Sequence, residues 1–187
     1  MAPGHRRRIF FGFSDVTVNN TFALGYEEGV HHIDPKIEVL QNMTGTTPAA
    51  WGDPTRGGEL ARSQFDRGAD VVYAAAGATG LGVLQAAKDK GRLAIGVDSN
   101  QNHIHPGTIL TSMTKRVDLA VYETFKTAKE GIWKGGVRSL GVAEGGVGYA
   151  IDQNNRSLIT ADMEKRLQQA RADIVAGKIK VTDYMAK

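Results

Sequence analysis

The sequence predicts an α/β fold with a doubly wound, mostly parallel sheet, and three observations carry that prediction. Apolar, β-branched runs alternate with amphipathic segments along most of the 187 residues, the order expected of β-α units around one sheet. Two of the inner runs, residues 69–76 and 92–97, are apolar without alternation, as strands covered on both faces require. Twenty-three glycines, well above the usual ~7%, fall singly or in pairs at the ends of these runs, where strands turn into helices.

The elements follow in order. Residues 8–13 form the first strand candidate, and residues 20–31 a helix carrying Phe22, Ala23, Tyr26 and Val30 near helical spacing. Residues 36–41, introduced by Asp34-Pro35, read as the second strand, and residues 44–52 as a loop of turn formers. Asp53-Pro54 starts the next helix, with Asp as N-cap and Pro at the first helical position, and this helix runs to about Arg67 before Gly68. The strand at 69–76 leads to a helix at 81–90 closed by Gly91, and then to the strand at 92–97. After Pro106-Gly107 come a strand at 108–113 and a helix at 115–129. Two short strands, 139–142 and 148–150, are expected to bracket the turn Glu144-Gly-Gly-Val-Gly148. An amphipathic helix at 161–176 and a tail of strand character at 178–181 end the chain.

Composition excludes several classes. The absence of cysteine removes disulfide scaffolds, thiolate metal sites and cysteine nucleophiles. A net charge of +3 does not point to a nucleic-acid or membrane partner. No apolar run approaches the ~20 residues of a membrane span. The basic start, with Arg6, Arg7 and Arg8, precedes an apolar stretch too short for a secretory core, so no export signal is expected within this sequence.

In open α/β sheets ligands lie beyond the carboxyl ends of strands, and three such ends stand out: residues 14–22, 77–82 and 98–102. Gly77 to Gly82 joins a buried strand to a helix, where backbone N–H groups can hold polar atoms. Its spacing is GxxGxG, so it serves either as a ligand loop or as a structural turn. Asp98 lies 21 positions after Gly77, near the offset at which an acid binds ribose hydroxyls in dinucleotide folds. It is either such an acceptor or the cap of its own turn. Phe22 and Trp51 are aromatics beside strand-end loops, able to stack on a flat ring or to serve as core and cover.

An enzyme reading also exists. Tyr122 and Lys126, one helical turn apart, are similar to the catalytic pair of short-chain dehydrogenases, and Gly77–Gly82 with Asp98 would hold the nucleotide cofactor. Those enzymes place the glycine motif at their first strand, whereas here it follows two β-α units and stands only 45 positions before Tyr122. The close histidine pairs, His31-His32 and His103 with His105, lack a third ligand in a metal-binding frame, so no metal and no cofactor is expected.

Several stretches together resemble one family. They are Gly68-Ala-Asp-Val-Val-Tyr-Ala-Ala-Ala-Gly77 with its continuation to Val83, Ala94-Ile-Gly-Val-Asp-Ser99, and Ile109-Leu-Thr-Ser-Met-Thr-Lys-Arg-Val-Asp-Leu-Ala-Val-Tyr122. Trp51-Gly-Asp-Pro-Thr-Arg-Gly-Gly-Glu-Leu-Ala61, Lys134-Gly-Gly136 and Glu144-Gly-Gly-Val-Gly148 fit as well. The sequence is thereby similar to the basic membrane protein family, the purine-nucleoside-receptor-like substrate-binding proteins of ABC importers. The resemblance implies a type I periplasmic-binding-protein-like fold, with two α/β lobes closing on a nucleoside-like small molecule. It implies no catalysis, an ABC permease as partner, and a periplasmic or membrane-lipoprotein location. It places ligand contacts at Phe22 (stacking on the base), Gly77, Asp98 (ribose hydroxyls) and Lys115. A regulatory ligand sensor of the same fold is the further alternative.

The sequence departs from the family pattern in two ways. Ser14-Asp-Val-Thr-Val-Asn-Asn20 is only loosely similar to the corresponding loop, and most of a first lobe has no counterpart. The expected organisation is a basic tail at 1–8, a main α/β lobe at 9–107, and a hinge crossover with C-terminal helices at 108–187. With the first lobe largely missing, the exposed lobe face is expected to favour self-association.

Overall fold

The computed structural model describes residues 8–14 and 17–184. Six strands form one sheet in the order β2-β1-β3-β4-β5-β6. They are β1 (Arg8–Ser14), β2 (Glu38–Gly45), β3 (Ala69–Tyr73), β4 (Leu93–Gly96), β5 (Ile109–Lys115) and β6 (Val147–Tyr149). The first five run parallel, and β6 lies antiparallel against the carboxyl half of β5, with Met113 opposite Tyr149 and Lys115 opposite Val147. Among the described residues five α-helices accompany the sheet: α1 (Thr17–Ile33), α2 (Pro54–Asp66), α3 (Thr79–Asp89), α4 (Val117–Lys129) and α5 (Ala161–Val175).

Side chains alternate across the sheet, because successive residues of a strand point to opposite faces. Val72, Ala74 and Ala94 face one side, where Ala61 and Phe65 of α2 and Val83, Leu84 and Ala87 of α3 cover them. Tyr73, Ala75 and Ile95 face the other, against Phe22, Ala23 and Tyr26 of α1. The central strands are therefore apolar on both faces, as their unbroken runs predict.

Glycine sets how closely α2 and α3 approach. A Cβ on Gly82 would overlap the backbone carbonyl of Pro54, and one on Gly57 the carbonyl of Thr79. Gly80 sits 3.0 Å (at its would-be Cβ) from the carbonyl oxygen of Ala74. Two of the three glycines read as a possible ligand loop thus lie in helix contacts, which also lets α3 begin at Thr79 rather than at Leu81.

Other boundaries differ from the sequence reading: β3 stops at Tyr73 rather than at residue 76, and α4 starts at Val117 rather than at residue 115. The first helix extends to Thr17–Ile33. β2 continues through Asn42, Met43 and Gly45, residues with turn character, because each pairs with β1. Residues 139–142 form no strand: Gly145 and Gly146 donate back to the carbonyls of Val142 and Gly141, and Gly141 N–H donates to Glu144. The segment spends its backbone on a turn. The tail at 178–181 is likewise not a strand, since Lys178 and Ile179 both donate to the carbonyl of Asp173 and cap α5. Of the basic tail expected at 1–8, residues 1–7 lie outside the described residues and Arg8 opens β1.

No residue of α4 is buried, and Val117, Val121, Tyr122 and Phe125 give it an exposed apolar stripe. Among the described residues no helix is long and apolar enough to cross a membrane.

Gly82→Ala is expected to lower the unfolding free energy by about 2 kcal/mol, because two backbones would have to part. Gly25→Ala is the control: its Cβ meets nothing within 4 Å, so better helix propensity raises stability by about 0.5–1 kcal/mol. Urea denaturation of both variants checks the contrast, and equal effects would refute the packing account.

Candidate functional site

In a parallel sheet ordered 2-1-3-4-5, the direction of strand addition reverses between β1 and β3, and a crevice opens beyond their carboxyl ends. The residues after β3 and β4 border a shallow depression there of about 240 Å³, lined among others by Gly77, Ala78, Leu81, Asp98 and Gln101. A larger groove of about 570 Å³ lies elsewhere, between Tyr149 of β6 and Gln168, Arg171 and Val175 of α5.

Asp98 occupies the floor of this crevice in an uncommon conformation. Its φ is +69°, and among the described residues it is the only non-glycine residue with positive φ. Aspartate tolerates the left-handed region better than most residues, yet the conformation persists only where the surroundings enforce it. Here they do. Ser99 N–H donates to the carbonyl of Val97 at 2.8 Å, closing a three-residue turn around Asp98. Gln101 Oε1 accepts from Val97 N–H at 2.9 Å, and Gln101 N–H donates to Ser112 Oγ at 3.0 Å. The Ser112 hydroxyl in turn donates to Asn102 Oδ1 at 2.8 Å. Gly96 leaves room for this arrangement, since a Cβ there would stand 2.7 Å from Ser112 Oγ.

Ser112, Asn102 and Asn155 are fully buried, and their polar atoms are paired. Asn102 Nδ2 donates to the carbonyl of Ala150 and to Asp152, while Asn155 Nδ2 donates to the carbonyls of Leu110 and Ala150. Hydrogen bonds from Asn100 and from the backbone N–H of Asn154 hold the Asp152 carboxyl below the usual carboxylate range. Its share of stability is therefore present at neutral pH and fades as pH falls through that lowered value.

Lys115 of β5 and Phe22 of α1 lie on another side of Asp98, outside the residues that line the depression. Lys115, at the end of β5, donates its backbone N–H to the Asp98 carbonyl at 2.9 Å. Its ammonium lies 2.8 Å from Asp98 Oδ1 and 4.5 Å from the centre of the Phe22 ring. Tyr26 and Tyr73 lie with ring centres 5.1 Å apart and planes tilted by 32°. Burial first, then the nearby Asp98 charge, pushes the Tyr73 hydroxyl up, so it stays protonated near neutral pH.

Gly77 borders the same depression with φ +57°, and a side chain there would crowd Trp51 at 3.1–3.2 Å. The Trp51 loop is pinned by Thr79, whose hydroxyl accepts from Asp53 N–H and donates to the Ala50 carbonyl. Trp51 thus backs Gly77. Of the residues singled out from sequence, Phe22 and Asp98 each meet Lys115, and Gly77 shares the depression with Asp98. Gly80 and Gly82 serve helix packing instead. Gln101 and Asn102 fall within the strand end 98–102 singled out from sequence, but their supporting roles were not read there, and Ser112 was missed because β5 mixes polar and apolar residues. Among the described residues no group of histidine and carboxylate side chains could hold a metal.

Comparison with known proteins decides the family. Residues 6–184 match the model of the family described as ABC transporter substrate-binding protein PnrA-like. The chain belongs to this family. It is 34% identical over 168 residues to basic membrane protein D of Borreliella burgdorferi, covering 88% of this chain and 48% of that one. It is 39% identical over 138 residues to an uncharacterized lipoprotein of Pyrococcus abyssi, covering 68% and 33%. A solute-binding protein of an ABC transporter system from Aeropyrum pernix K1 superimposes with a TM-score of 0.70 at 25% identity, over 94% of this chain and 56% of that one. A transcriptional activator of the comK gene from Bacillus halodurans shares the fold, with a TM-score of 0.78 at 20% identity over 92% and 58%. The chain spans about a third to a half of the length of the curated relatives it matches. The family is one of substrate-binding proteins, not enzymes, and the dehydrogenase alternative falls. Tyr122 stands exposed on α4, and two glycines of its supposed cofactor loop are spent on packing.

Asp98→Gly is expected to be about 1 kcal/mol more stable than Asp98→Ala, because only glycine escapes the Cβ penalty of the left-handed region. Equal midpoints in urea would show that the turn relaxes freely. Asn102→Ala is expected to cost about 2–3 kcal/mol by the same measurement, since it orphans buried partners.

Proposed function

We propose that this chain carries the ligand-contacting lobe of an ABC-importer receptor for a nucleoside-class solute. One observation supports this most strongly: the Asp98 carboxylate and the Phe22 ring flank a single ammonium, at 2.8 Å and 4.5 Å. A hydroxyl acceptor and a stacking face therefore stand one small molecule apart. Carboxylate oxygens suit paired sugar hydroxyls, an aromatic face suits a base, and Gly77 lets backbone approach the same ligand.

On this reading residues 9–107 are the main lobe, and residues 108–187 are the crossover and C-terminal helices. Closure of a second lobe over the crevice would present the loaded receptor to a permease. The relatives named lipoproteins support attachment to a membrane outside the cytoplasm. Self-association belongs to the same proposal. Two copies of α4 packed antiparallel would bury the stripe of Val117, Val121 and Phe125, and bring Asp118 of the first turn near Lys126 and Lys129 of the last.

Calorimetric titration with adenosine, guanosine and inosine, alongside NADH, tests the ligand class. Saturable nucleoside binding is expected, weakened about 10- to 100-fold in Asp98→Gly, the loss of a charged hydrogen-bond acceptor. Binding of NADH alone would overturn the reading.

A further inference from the structure

Of the three helices that cover the sheet, α1 is the most lightly held, although it carries Phe22. Only Ala23 is buried among residues 20–33, whereas α2 buries five residues and α3 six. The segment after α5 crosses the outer side of this helix. Gly177, at φ +70°, ends α5 as a left-handed glycine cap. Its N–H donates to the Ile174 carbonyl at 3.0 Å, and Lys178 N–H donates to that of Asp173 at 2.8 Å. Hydrogen bonds from Gln169 and Lys178, with His32 of α1 nearby, hold the Asp173 carboxyl below the usual carboxylate range. Further on, Thr182 N–H donates to Glu28 Oε2 at 3.2 Å, and the Tyr184 hydroxyl accepts from Asn20 Nδ2 at 3.3 Å. Residues 173, 182 and 184 thus meet α1 at positions 32, 28 and 20, so the tail runs down the helix antiparallel to it.

We propose that residues 177–184 form a brace that sets where α1 holds the Phe22 ring, and thereby tunes affinity, with Asn20 and Glu28 as positioning residues. These two stand eight positions apart, about 12 Å along the axis, so the brace spans the stretch that carries Phe22 and Tyr26. Two residues turn a helix through about 200°, which puts Asn20 on the side away from Phe22 and Glu28 on the side away from Tyr26. The sheet holds the inner side of α1 through Ala23 and Tyr26, and the brace holds the outer side. A helix with so little buried surface shifts easily, because few apolar contacts oppose the movement. Each surface bond is weak alone, but two bonds placed two turns apart resist rolling and sliding together. Neither Asn20 nor Glu28 lines the depression beside Asp98. The inference rests on the solute-binding reading above, in which Phe22 stacks on the ligand, and adds to it the residues that aim the ring.

Variants of the full chain test it. Tyr184→Phe removes the acceptor for Asn20, Glu28→Ala removes the acceptor for Thr182 N–H, and Glu28→Gln keeps an acceptor there. The first readout needs no ligand. The Lys115 ammonium lies 4.5 Å from the centre of the Phe22 ring, so its ε-methylene protons, assigned by their loss in Lys115→Arg, report where the ring sits. Their upfield shift is expected to shrink in Tyr184→Phe and in Glu28→Ala, to shrink further in the double variant, and to persist in Glu28→Gln. An unshifted resonance in the wild type, a shift that both deletions leave unchanged, or an equal loss in Glu28→Gln would overturn the proposal. The second readout is calorimetric titration with adenosine and inosine. Binding is expected to weaken about 3- to 10-fold in the double variant, the worth of about one hydrogen bond, and to keep its wild-type strength in Glu28→Gln. A reduced shift with unchanged affinity would end the proposal, since placement of the ring would not govern binding. If neither the wild type nor any variant binds a nucleoside while the shift responds as expected, the nucleoside class fails and the brace stands.

Discussion

The site depends on a single backbone constraint, the left-handed turn at Asp98. A positive φ at a non-glycine residue survives only against a restraint stiffer than itself, and the restraint is the buried chain of hydrogen bonds from Val97 through Gln101 and Ser112 to Asn102. A polar network in a core must be satisfied throughout, because each orphaned member costs more than a bond returns. Asn102, Asp152 and Asn155 meet that condition by tying the segment after β4 to the segment after β6. The Asp98 carboxylate is thereby held against Lys115 by elements that are remote in sequence.

A second economy concerns glycine. The glycine-rich turn after β3 has the look of a phosphate loop, but only Gly77 faces the crevice. At Gly82 the backbones of α3 and α2 come too close for any side chain, and at Gly80 a Cβ would press on the carbonyl of Ala74, just past β3. That close contact holds the Trp51 loop, through Thr79, against the back of Gly77. Helix packing and site geometry are thus one problem.

Much of this was legible in the sequence, and the reasons for success and failure are physical. The runs at 69–76 and 92–97 are mostly apolar, so β3 and β4 lie within them, although β3 ends at Tyr73 rather than at residue 76. Asp98 was legible from its position after such a strand. The short strand at 139–142 was not real, because apolar residues between glycines cannot reveal whether a partner strand exists, and the backbone there closes on itself. The continuation of β2 through Asn42 and Gly45 was hidden for the converse reason: turn-forming residues were overruled by pairing with β1. Contacts among Phe22, Asp98 and Lys115 join residues from three elements, which no local pattern encodes. The resemblance brought them together, and the geometry supplies the physical ground.

The central claim is that the crevice between Phe22 and Asp98 is the seat of a nucleoside-class solute. A crystal structure of the protein grown with inosine tests it most directly. The account predicts the ribose hydroxyls at hydrogen-bond distance, about 2.5–3.0 Å, from the Asp98 carboxylate, with the base against the Phe22 ring. Inosine bound instead in the groove between β6 and α5, with Lys115 still on Asp98, would contradict it.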